Sequence, residues 1–309
     1  MTKIAELSSA DLKAQLEGVG INLQTGPFVI RLRTNLDALS VPLRFLYSDF
    51  TVDEEAQFAD FHIRIAKPRN LRAWLRPQVL FQFQGRTLFN PYPLKLAFPL
   101  FEWGMNWCIA TYAHQYLVIH SAVLERDGQA LLLTAPPGSG KSTLAAALTH
   151  RGWRLLSDEL ALIRPADTHL IPLPRPIGLK NESIQAIRSF IPEAVIGQIW
   201  PDTRKGTVAH VRPPRSCVEL AGEIPLPAWI VFLSYRANSG VQLKPFPKSR
   251  AFLRVCESAF NYSLLGRVGF KTMASLIDLC DCYEFSYGNL EEAVKNMSEL
   301  RPVSHAIQR

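Results

Sequence analysis

Ala135-Pro136-Pro137-Gly138-Ser139-Gly140-Lys141-Ser142 joins a glycine-containing turn to a lysine and a hydroxyl. That combination is suited to holding the phosphates of a nucleotide. Successive backbone N–H groups in such a turn converge on an anion, the lysine reaches the β- and γ-phosphates, and the following hydroxyl coordinates Mg²⁺. The expected cradle is Gly138, Ser139, Gly140, Lys141, Ser142 and Thr143, with Ser142 on the metal, and the expected cofactors are ATP and Mg²⁺. Further on, Asp158-Glu159 places two acids in succession. Metal-dependent phosphoryl transfer needs such a pair, one to hold the cation and one to take a proton from the attacking hydroxyl. The usual loop pattern, G-x-x-x-x-G-K-[ST], begins with a glycine where this chain has Ala135.

The neighbouring residues supply the elements that must position this chemistry. Ala130 to Thr134 is an apolar run short enough for a buried strand, and Thr143 to Gly152 carries Leu144, Ala147 and Leu148 on one helical face. The expected helix starts at Lys141. Trp153 to Ser157 reads as a second short strand that delivers Asp158 and Glu159 at its carboxyl end, the edge where open α/β sheets bind ligands.

Gly138 to Ser142, followed by Arg151-Gly152-Trp153-Arg154-Leu155-Leu156-Ser157-Asp158-Glu159 and preceded by His120-Ser121-Ala122-Val123-Leu124, resembles the HPr kinase/phosphorylase family over about residues 117 to 165. Pro174-Arg175-Pro176-Ile177-Gly178-Leu179-Lys180-Asn181 and Thr203-Arg204-Lys205-Gly206-Thr207-Val208-Ala209-His210 extend the likeness to the HPr-kinase-related kinase A group, relatives of lasso-peptide kinases. The resemblance implies an α/β fold with a P-loop kinase core of the HPr kinase type and a smaller strand-rich N-terminal domain. It implies ATP-dependent transfer of the γ-phosphoryl group to a hydroxyl, of the serine type, on a peptide or small protein. By position, Asp158 matches the general base and Glu159 a metal or metal-water contact, although the two roles can be exchanged. His120 either orients Asp158 or a phosphate oxygen, or is a strand histidine bonded to backbone. Arg204, Lys205, His210 and Arg212 gather cationic groups around Gly206, as expected of a mobile loop that neutralises a transition state; a solvated basic turn is the alternative. Arg175 and Lys180, on a proline-framed segment, would line the substrate cleft.

The chain also departs from that family. Glu159 stands where the bacterial HPr kinases usually have Asp, and the long glycine-rich signature of the bifunctional enzymes has no counterpart, so neither phosphorylase activity nor HPr as substrate is expected. HPr kinases form ring-like hexamers, which leaves a homo-oligomer open. Two other readings compete: a small-molecule kinase with the same cradle, and a nucleotide-binding scaffold or sensor. Retention of both Asp158 and Glu159 argues against the scaffold, because a sensor needs no proton acceptor.

The 309 residues, 48% of them hydrophobic, suffice for buried cores. No run of about 18 uncharged apolar residues occurs, and Met1 to Leu16 mixes Lys3, Glu6, Asp11 and Lys13 with apolar residues, so a cytoplasmic protein without membrane attachment is expected. Five cysteines, with only Cys280 and Cys282 close together, read as reduced thiols. The formal charge of +7 permits an anionic partner, and ATP meets that requirement. Arg64, Lys67, Arg69, Arg72 and Arg76, interrupted by Trp74, lack a recognition motif for nucleic acid and read as a solvated basic face or a contact for an acidic peptide.

Three regions are expected: a strand-rich N-terminal domain over residues 1–95, a linking helix over 96–116, and the P-loop kinase domain over 117–309. The last opens with a strand from Leu117 to Leu124 and a turn at Arg126-Asp127-Gly128. It continues with a buried strand at Ala228 to Leu233, helical periodicity over 250–279, and a terminal helix over Leu290 to Leu300 capped by Asn289. Asn261-Tyr262-Ser263, which has the form of a glycosylation acceptor, reads as a helix interruption or buried polar cluster.

Overall fold

The computed structural model describes residues 1–53, 58–68, 76–136 and 138–301. Arg69, Arg72 and Trp74 of the basic stretch, and Pro137 of the loop, lie outside the described residues. The fold is mixed α/β with four sheets. Among the described residues no helix is long and apolar enough to cross a membrane.

The N-terminal residues build an eight-stranded mixed sheet. Alternation sets its faces: in the strand Phe28–Thr34, Phe28, Ile30 and Leu32 are buried, while Arg33 is exposed. The same alternation leaves His62 and Arg64 of Phe61–Ala66 exposed. Besides strands, the described residues of this region contain two α-helices that the sequence reading lacks, Ser9–Glu17 and Asp37–Leu46. Helix Ala97–Tyr112 lies against the sheet, with Phe98, Phe101, Met105 and Cys108 buried. The core beneath it also takes in Val118, Leu160, Leu162, Leu173, Trp200 and Val208, so side chains from after residue 117 complete the N-terminal core.

A six-stranded sheet follows, in the order Arg154–Ser157, Ala122–Arg126, Gln129–Thr134, Leu226–Tyr235, Asp281–Tyr287, Gln242–Pro245. Gln129–Thr134, Leu226–Tyr235 and Asp281–Tyr287 run parallel, and the others pair antiparallel. Period-2 alternation distributes its side chains between two cores. Leu131, Leu133, Val231, Leu233 and Phe285 face helices Lys141–Thr149 and Leu290–Ser298. Ala130, Leu132, Ile230 and Phe232 face helices Lys248–Cys256 and Tyr262–Leu279. Burying each large apolar side chain in this way stabilises the fold by about 1.5–3 kcal/mol.

The single strand expected over Leu117 to Leu124 is broken at Ser121. Leu117–His120 joins a three-stranded sheet with Leu160–Ile163 and Leu170–Ile171, whereas Ala122–Arg126 joins the six-stranded sheet. The partner chain changes sheets beside it, because Arg154–Ser157 pairs with Ala122–Arg126 and Leu160–Ile163 with Leu117–His120. Ser121 is fully buried, and its Oγ donates to the Leu133 carbonyl at 2.7 Å. A second three-stranded sheet is formed by Ile177–Lys180, Gly206–Val211 and Trp200–Thr203.

The helical stretch expected over 250–279 is two helices, Lys248–Cys256 and Tyr262–Leu279, and the second is kinked at Gly266. Asn261 marks the interruption. Buried, it accepts from the Val118 N–H at 3.0 Å through Oδ1 and donates to the Tyr116 carbonyl at 2.8 Å through Nδ2. The terminal helix, Leu290–Ser298, has the expected cap: Asn289 accepts from the Glu292 N–H at 3.1 Å.

Asn261→Ala strands a buried N–H and a carbonyl, so the variant should lose about 1–3 kcal/mol of unfolding free energy. Urea denaturation checks this, and an unchanged midpoint would show that water replaces both bonds.

Candidate active site

The Gly-Lys-Ser turn leaves strand Gln129–Thr134 and enters helix Lys141–Thr149, so the helix begins at the lysine as expected. Gly138 and Gly140 adopt left-handed backbone, with φ of 86° and 82°. Ala135 does not have a positive φ, so its methyl costs nothing where the usual pattern has glycine. Gly140 has a second constraint: the Tyr287 hydroxyl donates to its carbonyl at 3.2 Å, and an added Cβ would lie 2.4 Å from that hydroxyl oxygen. Ser139, Ser142 and Thr143 are half-buried at the helix start, while Gly138 is exposed.

Lys141 is buried, and its Nζ donates to the main-chain carbonyl of Asp158. This bond ties the start of the helix to the acidic pair at the end of strand Arg154–Ser157. Asp158 is 5% exposed; its Oδ2 accepts from the Gly178 N–H at 3.1 Å, and its Oδ1 has no hydrogen-bond partner. Burial raises the proton affinity of the Asp158 carboxyl, Lys141 pulls it back down, and Glu159 pushes it up again; the net shift is upward. Glu159 goes the other way. Burial favours its neutral form, but Lys141, His120, Lys180 and Lys205 together outweigh that and hold its carboxyl below the usual range.

His120 does not orient Asp158. Its Nε2 lies 3.3 Å from Glu159 Oε2, its ring stacks on Phe260 with centroids 6.0 Å apart, and its N–H donates to the Ser258 carbonyl at 2.8 Å. The crossing at Ser121 explains this: His120 stands opposite Leu160 in the small sheet, one position from Glu159. Burial and the nearby Lys141 lower the His120 pKa, and Glu159 opposes them.

The four cationic residues around Gly206 do not form one cluster. Arg204 and Lys205 are the turn of an antiparallel hairpin in which Thr203 faces Gly206, and the Thr203 hydroxyl donates to the Gly206 carbonyl at 2.6 Å. Arg204 lies over Tyr92 at 5.3 Å and Lys205 over Trp103 at 5.2 Å. Of the two, Lys205 is the one whose charge reaches His120 and Glu159. His210 is buried between Phe98 and Trp200, and burial pushes its pKa down to about 3, so it is neutral at pH 7. Arg212 turns away and donates to Ser48 Oγ at 2.9 Å.

A narrow cavity of about 30 Å³ adjoins the acidic pair, lined by Glu102, Trp103, Asp158, Glu159, Arg175 and His210 among others. Lys180 lies at its exposed rim, and Arg175 is buried within it. Arg175 Nη1 is 3.4 Å from Glu102 Oε2, its Nη2 bonds Asn106 Oδ1, and Tyr47 donates to Glu102 Oε1 at 2.5 Å. Asp158 Oδ1, Arg175 Nε and His210 Nδ1, all in this lining, are buried without hydrogen-bond partners. Sequence reasoning missed Glu102, Asn106, Tyr47 and Tyr287. For Glu102 a signal existed: it is the lone charged residue of the Ala97–Tyr112 segment.

No protein-family model matches this chain, and no curated protein matches its sequence.

Two measurements test the geometry. Gly140→Ala meets both a left-handed backbone and the Tyr287 hydroxyl, whereas Gly138→Ala meets only the backbone cost of about 1–2 kcal/mol. Gly140→Ala should therefore be the more destabilised in urea titrations, and equal midpoints would remove the Tyr287 contact from the account. The second concerns His210. The unfolded chain binds a proton there below pH 6.5, and the folded chain refuses it until about pH 3. Stability should thus fall as pH drops through that window, and His210→Gln should flatten that fall relative to wild type.

Proposed function

We propose that this protein is an ATP-dependent phosphotransferase with a P-loop kinase core of the HPr kinase type, acting on the hydroxyl, of the serine type, of a peptide or small protein. One observation carries the reading. The lysine at the helix start is bonded to the backbone of an acidic pair whose two carboxyls are shifted in opposite directions, and the one shifted upward keeps a buried oxygen without a partner. Neighbouring carboxylates pushed apart in this way divide acid-base work between them. The sequence resemblance over about residues 117 to 165 supports the same reading.

In this proposal the N–H groups from Gly138 to Thr143 and the positive end of the helix hold the phosphates of ATP. Lys141 exchanges its bond to the Asp158 carbonyl for the β- and γ-phosphate oxygens, so the free protein keeps the ammonium paired until substrate arrives. Asp158 Oδ1 accepts the proton of the acceptor hydroxyl as that oxygen attacks the γ-phosphorus and the bond to the bridging oxygen of ADP breaks. Its raised proton affinity favours that transfer. Glu159, held anionic by its cationic neighbours, and the Ser142 hydroxyl would hold Mg²⁺. When bound, that ion neutralises phosphate charge. Among the described residues no group of three His, Cys, Asp or Glu side chains is placed to hold a metal ion, so the remaining ligands would be phosphate oxygens and water, as is usual for Mg²⁺. Lys205, over Trp103 and near Glu159, is the better placed of the two hairpin cations to meet charge developing on the phosphoryl group.

Three variants separate these roles. Lys141→Ala should abolish transfer from radiolabelled ATP while the protein still melts cooperatively, and transfer at an unchanged rate would refute the phosphate-loop assignment. Asp158→Asn should retain Mg²⁺-ATP binding in calorimetry yet slow transfer about a hundredfold or more. If Asp158→Asn loses binding and Glu159→Gln keeps it, the two carboxylates have the opposite roles.

A further inference from the structure

Five of the large exposed apolar side chains among the described residues lie on the C-terminal helix pair and the turn that joins its two helices. Leu253, Phe260, Leu264, Val268 and Phe270 are each half or more exposed. The Phe252 ring meets Phe270 at 5.5 Å and Tyr262 at 6.3 Å, which joins helix Lys248–Cys256 to helix Tyr262–Leu279. Leu264 and Val268 flank the kink at Gly266. Large apolar side chains left exposed on two adjoining helices mark a candidate interaction surface.

The same helix pair is basic. Between Lys248 and Leu279 the chain carries Lys248, Arg250, Arg254, Arg267 and Lys271 against the acids Glu257 and Asp278. Arg254 is already paired with Glu284 at 2.9 Å, whereas Arg250, Arg267 and Lys271 are exposed. A second copy of this chain, with a formal charge of +7, would bring like charge to that face. An acidic partner would not.

The surface leads toward the candidate active site. An open pocket of about 370 Å³ lies between the helix pair and the start of the Gly-Lys-Ser turn, lined by His120, Ala135, Pro136, Arg254, Glu257 and Phe260 among others. Phe260 belongs both to the exposed apolar set and to the stack on His120, which in turn contacts Glu159.

We infer that the helix pair Lys248–Leu279 docks an acidic peptide with apolar anchors, laid over Leu264 and Val268 and running past Phe260 toward the carboxylates. This rests on the phosphotransferase reading in one respect, that the docked peptide is the acceptor. Apolar side chains supply the anchors, and Arg250, Arg267 and Lys271 select the sign of the charge.

Binding can be measured by fluorescence anisotropy with a labelled synthetic peptide of alternating Glu and Leu containing one Ser, beside its Lys/Leu counterpart. The full-length protein should bind the acidic peptide at least tenfold tighter than the basic one, and added salt should weaken the binding. Leu264→Asp with Val268→Asp, or Arg267→Glu with Lys271→Glu, should weaken it tenfold or more with an unchanged melting temperature. All four side chains are exposed and outside the site. Equal affinity for both peptides, or indifference to both double variants, overturns the inference. So does sedimentation showing a dimer that Leu264→Asp abolishes, since the face would then belong to a second copy. A protein that binds Mg²⁺-ATP but not the acidic peptide refutes the docking surface and leaves the kinase reading standing. One that binds the peptide on this face but not Mg²⁺-ATP supports the docking surface and refutes the kinase.

Discussion

The arrangement depends on two segments of the chain changing sheets at the same level. One crosses at Ser121 and the other at Asp158-Glu159, and each pairs with the other on both sides of the crossing. The Ser121 N–H donates to the Glu159 carbonyl at 3.3 Å, while its hydroxyl is bound to Leu133 in the strand that feeds the Gly-Lys-Ser turn. The crossing therefore brings three things into register: His120, the acidic pair and the start of helix Lys141–Thr149. Ser121 is small enough to be fully buried there, and its hydroxyl satisfies a carbonyl that a hydrophobic residue would leave unattended.

From that constraint the electrostatics follow. Asp158 turns inward, where Gly178 serves one of its oxygens and the other is buried without a hydrogen-bond partner. Glu159, the next residue, faces His120, Lys180 and Lys205. Two adjacent carboxylates in one solvent would titrate alike; burial and Lys141 act on both, and the further cationic company of His120, Lys180 and Lys205 around Glu159 drives them apart. The separation comes from the backbone bend, since a regular extended strand would send consecutive side chains to opposite faces of a single sheet.

What was legible in the sequence was local. The turn, the helix starting at Lys141 and the cap at Asn289 depend on residues within a few positions of each other, and their chemistry can be read in order along the chain. The break at Ser121 was hidden, because apolar residues flank His120-Ser121 on both sides and periodicity cannot show a change of partner. The hairpin cations misled for a related reason. Counting Arg204, Lys205, His210 and Arg212 as one charge cluster ignores that strand Gly206–Val211 buries His210 against Phe98 and Trp200, where its charge is lost. Glu102 was visible as a lone acid in an apolar helix, but its partner Arg175 is far away in sequence, and only the fold pairs them.

That pair also shows why the N-terminal region is part of the site's wall. Glu102 and Arg175 are both nearly inaccessible, and a buried ion pair of this kind gains little over a hydrophobic substitute, while loss of one partner leaves an uncompensated charge. Such a pair contributes most as a positional constraint. Tyr47 from the N-terminal region holds Glu102 Oε1, Glu102 and Asn106 hold Arg175, and Arg175 lines the cavity into which Asp158 faces. Trp200 and His210 pack on Phe98 of the same helix, so the small sheet carrying Gly178 is fixed to the N-terminal core by apolar contacts and by this polar chain at once. Because Gly178 supplies the only hydrogen bond to Asp158 Oδ2 among the described residues, a shift of helix Ala97–Tyr112 would be felt at the carboxylate through two independent routes. The N-terminal region thus sets the orientation of a group whose sequence neighbours lie well over a hundred positions from Tyr47.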